Sequence, residues 1–284
     1  MYGIVTRNAE EVGWDEFDVG FYEVKDVTGR ADEPLSDAVN MLSCFGDTAA
    51  VDADPDLAAV DDDGTPATRD QEFFDWSYVC PTNEDYRAGL LEIIEECAAA
   101  SGDVRLDDVG FPREGYCRCE RCERRFAESD YDDRTAWRVA EITDFVAAAA
   151  ERVPGRTYLT LYPDPYPGHL ARRAGIDVDA LAASVDEFVV PLYDTHYGTT
   201  YWLETIARGF ESRLDAVDVP FSVELYAVEV DIDDLVNATA VAETYARNVY
   251  FGYDASNAAA AIRRKGADSR PGATHRPDEG DRAS

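Results

Sequence analysis

From Thr135 onward the sequence repeats one pattern: a helical stretch, a turn, then a short run of apolar and β-branched residues. Thr135–Arg152 predicts a helix stopped by Pro154-Gly155, followed by a strand at Thr157–Tyr162, a short helix at Val178–Val185 and a strand at Glu187–Tyr193. Helix Thr200–Leu214, strand Phe221–Ala227, helix Ile232–Arg247, strand Val249–Tyr253 and helix Ser256–Lys265 complete the series. Parallel neighbours need a crossover connection, so this alternation predicts a parallel sheet covered by helices. The first half is less regular. It predicts strands at Phe17–Lys25, Thr48–Ala53 (the weakest), Phe73–Cys80 and Val104–Phe111, with helices at Glu33–Cys44 and Glu84–Ser101. Eight strands close into an α/β (β/α)8 TIM barrel, and 284 residues suit that fold, which typically takes about 250. The rival open sheet lacks its usual phosphate loop, since neither GxGxxG nor GxxxxGKS occurs. The expected organisation is one barrel domain over residues 1–265 and a disordered polar tail over 266–284.

Charge narrows the partners. There are 59 Asp and Glu against 26 Lys and Arg, a net charge of −33, and the only lysines are Lys25 and Lys265. A solvated acidic surface poor in lysine suits a high-salt cytoplasm and speaks to solubility rather than fold. No basic patch is available to track a phosphate backbone, so nucleic acid is excluded as a partner, and anionic lipid is disfavoured. The stretch Met1–Glu10 has no basic and apolar signal pattern, and no run of 18 apolar residues occurs. The expected location is therefore cytoplasmic, with no membrane contact.

In a barrel of this kind the C-terminal strand ends face the active site. The predicted strand ends carry Asp107 and Asp108, Asp164, Asp194 and His196, Glu224 and Asp254. Tyrosines are interleaved, among them Tyr162, Tyr193, Tyr226 and Tyr253. Carboxylates accept hydrogen bonds from sugar hydroxyls, and flat rings stack on sugar C–H faces. Substrate contacts are therefore expected from Asp107, Asp164, Tyr193, Asp194, His196, Tyr226 and Asp254. Turns favour Asp in any case, and a chain with this many acids places some at strand ends without purpose. Arg105 and Arg113 bracket the acidic pair, either to balance charge or to bind an anionic sugar.

In a reducing compartment clustered cysteines point to metal rather than to disulfides. Cys117, Cys119 and Cys122 form a CxCxxC cluster, and Cys80 ends the predicted third strand beside the strand that leads into it. Four thiolates fill a tetrahedron and leave no open position, so the expected cofactor is a structural Zn2+ next to strands 3 and 4. Cys44 and Cys97 fall in apolar helical patterns and read as buried small hydrophobes.

The segments Cys80-Pro81-Thr82-Asn83-Glu84-Asp85-Tyr86-Arg87 and Tyr116-Cys117-Arg118-Cys119-Glu120-Arg121-Cys122-Glu123-Arg124-Arg125-Phe126 resemble the zinc-site segments of glycoside hydrolase family 42 β-galactosidases and related glycoside-hydrolase-like barrels. The resemblance is firm over Cys80–Phe126 and one of pattern elsewhere. It implies a general acid/base at the end of strand 4 and a nucleophilic Glu at the end of strand 7. In this sequence those positions fall on Asp108, within Asp107-Asp108, and on Glu224. The family's Asn-Glu pair is here Asp-Asp, and the domains that follow the barrel in that family have no room.

The resemblance implies an intracellular carbohydrate-active barrel, a glycosidase with Glu224 as nucleophile and Asp108 as acid/base. The two carboxyls of a retaining enzyme stand about 5 Å apart and those of an inverting one about 6.5–9.5 Å, and the sequence leaves both open. Two alternatives stand beside it. One is a non-catalytic barrel that binds a sugar or protein partner. The other is a divalent-metal enzyme with Asp164, Asp194, Glu224, Asp254 and His196 as ligands. The sugar, the anomer and the oligomeric state are not legible.

Overall fold

The computed structural model describes residues 1–268. Eight parallel strands form a closed ring: β1 (Tyr2–Thr6), β2 (Val19–Asp26), β3 (Val39–Ser43), β4 (Val104–Asp107), β5 (Thr157–Thr160), β6 (Glu187–Pro191), β7 (Phe221–Tyr226) and β8 (Val249–Gly252). Each strand pairs in parallel with the next, and β8 pairs with β1 to close the barrel. A two-residue strand, Gly29–Arg30, folds back antiparallel on β2. The surrounding helices are α1 (Thr48–Ala53), α2 (Glu84–Ser101), α3 (Glu120–Glu128), α4 (Arg134–Ala150), α5 (His169–Ala174), α6 (Val178–Leu181), α7 (Tyr201–Leu214), α8 (Ile232–Tyr245) and α9 (Ala255–Asp268). No described helix is long and apolar enough to cross a membrane.

The barrel is thus the expected one; of its first three strands, β2 matches the expected Phe17–Lys25 to within two residues, and the other two are not those expected. β1 was not predicted: five residues beginning at Tyr2 carry too little pattern. Gly3 suits the close packing there, because a Cβ would meet Tyr250 Cδ1 at 2.7 Å and Val19 Cγ1 at 2.8 Å. The expected helix Glu33–Cys44 is instead a loop and β3, whose five residues are all buried; a short apolar run does not distinguish strand from helix. Buried Asn40 holds the preceding loop, accepting from Leu35 N–H at 2.9 Å and donating to Leu35 O at 2.9 Å. The expected strand Thr48–Ala53 is α1, capped by Asp47, which accepts the Ala50 N–H at 2.8 Å. The expected strand Phe73–Cys80 belongs to the long β3–α2 connection and makes only isolated bridges, Gly46 to Tyr78 and Ala58 to Val79. Two missed strands and two false ones leave the numbering from strand 4 onward intact. At the C-terminus α9 runs to Asp268, three residues into the expected tail. The rest of that tail lies outside the described residues.

Two apolar layers hold the ring. Helices pack on the outside of the strands, and Val5, Phe21, Val39, Met41, Tyr158, Val189 and Tyr250 fill the lumen. Below that plug, at the N-terminal end, sits a polar knot. The fully buried Glu187 accepts from Ser222 Oγ and Tyr250 Oη at 2.5 Å each and from Asn248 Nδ2 at 3.2 Å, and pairs with Arg156 at 2.8 Å. This end of a barrel serves stability. Glu187→Ala strands three buried donors, leaves the part-exposed Arg156 without its carboxylate, and is expected to lower unfolding stability by about 3–5 kcal/mol, read from denaturant midpoints in molar salt. A loss below about 1 kcal/mol would contradict the role.

Candidate active site

Above the lumen plug the strands open into a cavity of about 870 Å3 at their C-terminal ends. Beneath its floor lies an ion pair, of which Arg105 lines the cavity and the fully buried Glu224 does not. Arg105 of β4 reaches across to Glu224 of β7, Nη2 to Oε2 at 2.5 Å, with the side chains 1% and 0% exposed. Arg105 is also fixed by its Nε donating to Thr160 Oγ1 at 3.0 Å and by the Phe21 ring beneath it, centroid at 5.3 Å. Glu224 Oε1 accepts a short hydrogen bond from Tyr193 Oη. A Cβ at Gly252 would sit 3.3 Å from that oxygen and 3.4 Å from Tyr193 Oη, so glycine there keeps the pair uncrowded. A buried pair of this kind is a poor source of stability, and such pairs concentrate at functional sites.

The second acid stands on the rim. Asp108 follows β4 directly, in the left-handed region at φ 48°, where a non-glycine residue is strained. Its Oδ2 lies 2.6 Å from Ser43 Oγ at the end of β3, and its N–H is donated to Asp107 Oδ1 at 2.8 Å. Burial, reinforced by the neighbouring Asp107 charge, pushes the Asp108 carboxyl up to about 7. Both Asp107 and Asp108 line the cavity, as do Tyr193 and Tyr226. Trp76, Tyr162 and Tyr253 add flat faces. Two obligate donors in this wall have no partner among the described residues: Arg105 Nη1 and Trp76 Nε1.

Sequence reasoning missed the acids of β2. Glu23 and Asp26 line the cavity, one strand removed from β4 around the ring. Arg7 clamps them, Nε to Glu23 at 2.5 Å and Nη2 to Asp26 at 3.4 Å, and Tyr253 donates to Glu23 at 3.0 Å. Burial raises the Glu23 carboxyl above its usual range despite Arg7. The signal was present, since the first predicted strand, Phe17–Lys25, ends on Glu23-Val24-Lys25 with Asp26 the next residue. Other expected contacts lie outside this lining. Asp164 bonds His169 at 3.0 Å and borders a separate small cavity. Asp194 accepts the His196 N–H at 3.2 Å in a local turn, with His196 exposed, and Asp254 accepts the Asn257 N–H at 2.9 Å at the start of α9. Arg113 lies over Phe73, 4.4 Å from the ring centroid. Among the described residues the carboxylates and histidine of the divalent-metal alternative do not converge as ligands; the four cysteines do.

The ligand atoms of Cys80, Cys117, Cys119 and Cys122 all lie within 4.8 Å of one another. Cys80 Sγ is 3.7 Å from Cys119 Sγ and 3.5 Å from Cys122 Sγ, close to the roughly 3.8 Å edge of a tetrahedron with zinc–sulfur bonds of about 2.3 Å. Donors surround the sulfurs, as metal thiolates require: Val60 N–H to Cys117 at 3.3 Å, and the Thr82 hydroxyl 3.2 Å from both Cys80 and Cys122. Four thiolates this close repel unless a cation sits between them, so the donor set fits a closed divalent site. The sulfurs join the β3–α2 connection to the β4–α3 connection, although Cys80 comes from a loop rather than from a strand end. Cys44 and Cys97 are buried away from the cluster, and burial pushes Cys97 up to about 12.

No protein-family model and no curated protein matches the sequence. Solved structures do resemble the fold. An α-L-fucosidase isoenzyme from Paenibacillus thiaminolyticus aligns with a TM-score of 0.63 at 12% identity, over 94% of this chain and 48% of that one. This chain thus spans about half of the fucosidase's length. A class V chitinase from Pseudomonas fluorescens Pf-5 aligns at 0.54 and 12% identity, over 93% of this chain and 99% of that one. The β-amylase catalytic domain of Paenibacillus polymyxa aligns at 0.54 and 10% identity, over 90% and 92%. At such identities the likeness is one of fold, a barrel that these glycoside hydrolases share.

Proposed function

We propose that this barrel is a glycoside hydrolase in which Asp108 is the general acid/base and Glu224 the nucleophile. One observation carries the reading: two carboxyls at one end of the barrel sit in divergent environments. Asp108 keeps a proton up to about pH 7 in its buried, acidic setting, while Glu224 is paired with a guanidinium. Divergent environments for two carboxyls divide acid from nucleophile. The shared fold and the resemblance of Cys80–Phe126 to family 42 zinc segments point the same way.

A sugar in the cavity meets the donors Arg105 Nη1 and Trp76 Nε1 and the acceptor Asp107, with Tyr193 and Tyr226 along the wall. Glu224 attacks the anomeric carbon as Asp108 gives its proton to the leaving oxygen. Asp108, now a carboxylate, then takes a proton from the water that releases the sugar from Glu224. Cys80, Cys117, Cys119 and Cys122 would hold a zinc ion, which would supply a cross-link rather than chemistry.

Screening aryl glycosides in molar salt tests the assignment. Hydrolysis is expected, with the rate falling as pH rises through about 7, because only protonated Asp108 serves as acid. A rate that stays flat to pH 9 contradicts that role for Asp108. The complete burial of Glu224 beneath Tyr193 favours a second reading, a sugar-binding barrel without turnover. Sugar binding with no hydrolysis of any anomer would select it.

A further inference from the structure

We propose that Ser43 is a positioning residue for Asp108: the Asp108 carboxyl donates its proton from Oδ2 to Ser43 Oγ, and the Ser43 hydroxyl proton goes to the Gly46 carbonyl. This rests on Asp108 being the acid, but its test does not require turnover.

Ser43 Oγ lies 2.7 Å from Gly46 O and 2.6 Å from Asp108 Oδ2. A hydroxyl has one proton to give. Gly46 is buried, and Ser43 is the donor found for its carbonyl among the described residues. Giving the proton to Asp108 strands that carbonyl, and a buried unpaired carbonyl is costly. Giving it to Gly46 sets two oxygens 2.6 Å apart with nothing between them, unless Asp108 carries the proton. One assignment satisfies both contacts.

The surroundings agree. Asp107 on β4 and Glu23 on β2 oppose a second negative charge at Asp108. Lys25 on β2 favours it, but its Nζ is already held by Asp47 at 3.0 Å and the Ser43 carbonyl at 2.8 Å. Tyr78 in the β3–α2 connection, Tyr86 on α2, Tyr162 after β5 and the Cys44 thiol complete the titratable neighbours. Burial keeps each of those four neutral. Gly46 makes the contact possible: a Cβ there would sit 2.8 Å from Asp108 Oδ2 and 2.7 Å from Trp76 Nε1.

The experiment is a carboxyl titration of the full chain labelled with [13C]aspartate, with the Asp108 signal identified by its loss in Asp108→Asn. In the native chain Asp108 is expected to titrate at or above about 7, the value that holds with Ser43 donating to the carboxylate, because an accepting Ser43 raises it further. Ser43→Ala removes the acceptor of the proton and is expected to lower the midpoint by about one unit or more. Ser43→Thr keeps the hydroxyl and is expected to restore it. If turnover is found, the falling limb of the pH–rate profile moves with the midpoint. A midpoint that rises or stays in place in Ser43→Ala means that Ser43 was donating to a carboxylate or doing nothing, and overturns the proposal. If Ser43→Ala does not fold, the native chain decides: an Asp108 midpoint near 4 also overturns it. A normal titration result in a chain without hydrolysis would sink the glycosidase reading and leave Ser43 in place.

Discussion

Asp108→Asn is expected to cut hydrolysis of substrates with poor leaving groups sharply and, above pH 7, to make the fold more stable. The two effects share one cause. In the folded chain Asp108 binds its proton up to about pH 7, well above the usual carboxyl value, because it is half-buried beside Asp107. A carboxyl raised in this way stabilises the fold fully below the unfolded value and loses that contribution as pH rises toward 7. Above 7 the native chain holds a poorly solvated charge that asparagine does not. A shift of three units corresponds to about 4 kcal/mol, and partial solvent access cuts it to about 2. Thermal or urea midpoints of the two proteins should therefore coincide near pH 4 and separate by pH 8, with the Asn variant ahead. Hydrolysis of substrates with poor leaving groups should fall by about 10^3, the usual worth of a positioned acid. Full activity in Asp108→Asn, or a stability gap independent of pH, would contradict the assignment. Glu224→Gln differs: it removes the anion under Arg105 and should cost both rate and stability.

The second large effect belongs to the four sulfurs. One zinc per chain is expected by elemental analysis, released by a strong chelator together with loss of structure around residues 44–83 and 108–128. Structural zinc contributes about 10–16 kcal/mol to small domains that fold only around it. Here the lumen plug and outer helices do not depend on the ion, so Cys122→Ser is expected to cost less, on the order of 4 kcal/mol. The loss should appear as early proteolytic cutting in those two connections while β5–β8 stay protected. Because Trp76 and Asp108 sit in or beside these connections, substrate binding should weaken as well. A chain that binds no divalent metal with its thiols reduced would remove the closed site.

What the sequence revealed follows physical lines. The strands after Thr157 were placed within two residues of their ends, since each is a short buried run set between helices with clear stops. Between Tyr2 and Cys80 only the strand at Val19–Asp26 was placed as closely. A five-residue strand containing Gly3 has no period, the buried Val39–Ser43 fits a helix as well as a strand, and an Asp-capped helix at Thr48 reads like a weak strand. The cysteine set was legible because thiolate spacing is scarce and specific. The acids were harder. Asp194 and Asp254 make local bonds in a turn and at a helix start, outside the cavity lining, whereas Glu23, which looks like any strand residue, lines it. Side-chain direction, which decides between these, depends on barrel closure and not on local pattern. The Arg105–Glu224 contact joins strands far apart in the chain, so no local reading exposes it.

The most direct measurement is trapping with activated 2-deoxy-2-fluoro glycosides, followed by peptide mapping of the labelled chain. A two-carboxylate retaining glycosidase accumulates a covalent sugar on one residue, and that residue is expected to be Glu224, with the label still forming in Asp108→Asn, because an activated leaving group needs no acid, and released more slowly there for want of a base. A sugar attached to any other residue, or steady turnover in Glu224→Gln at the native rate, would contradict it.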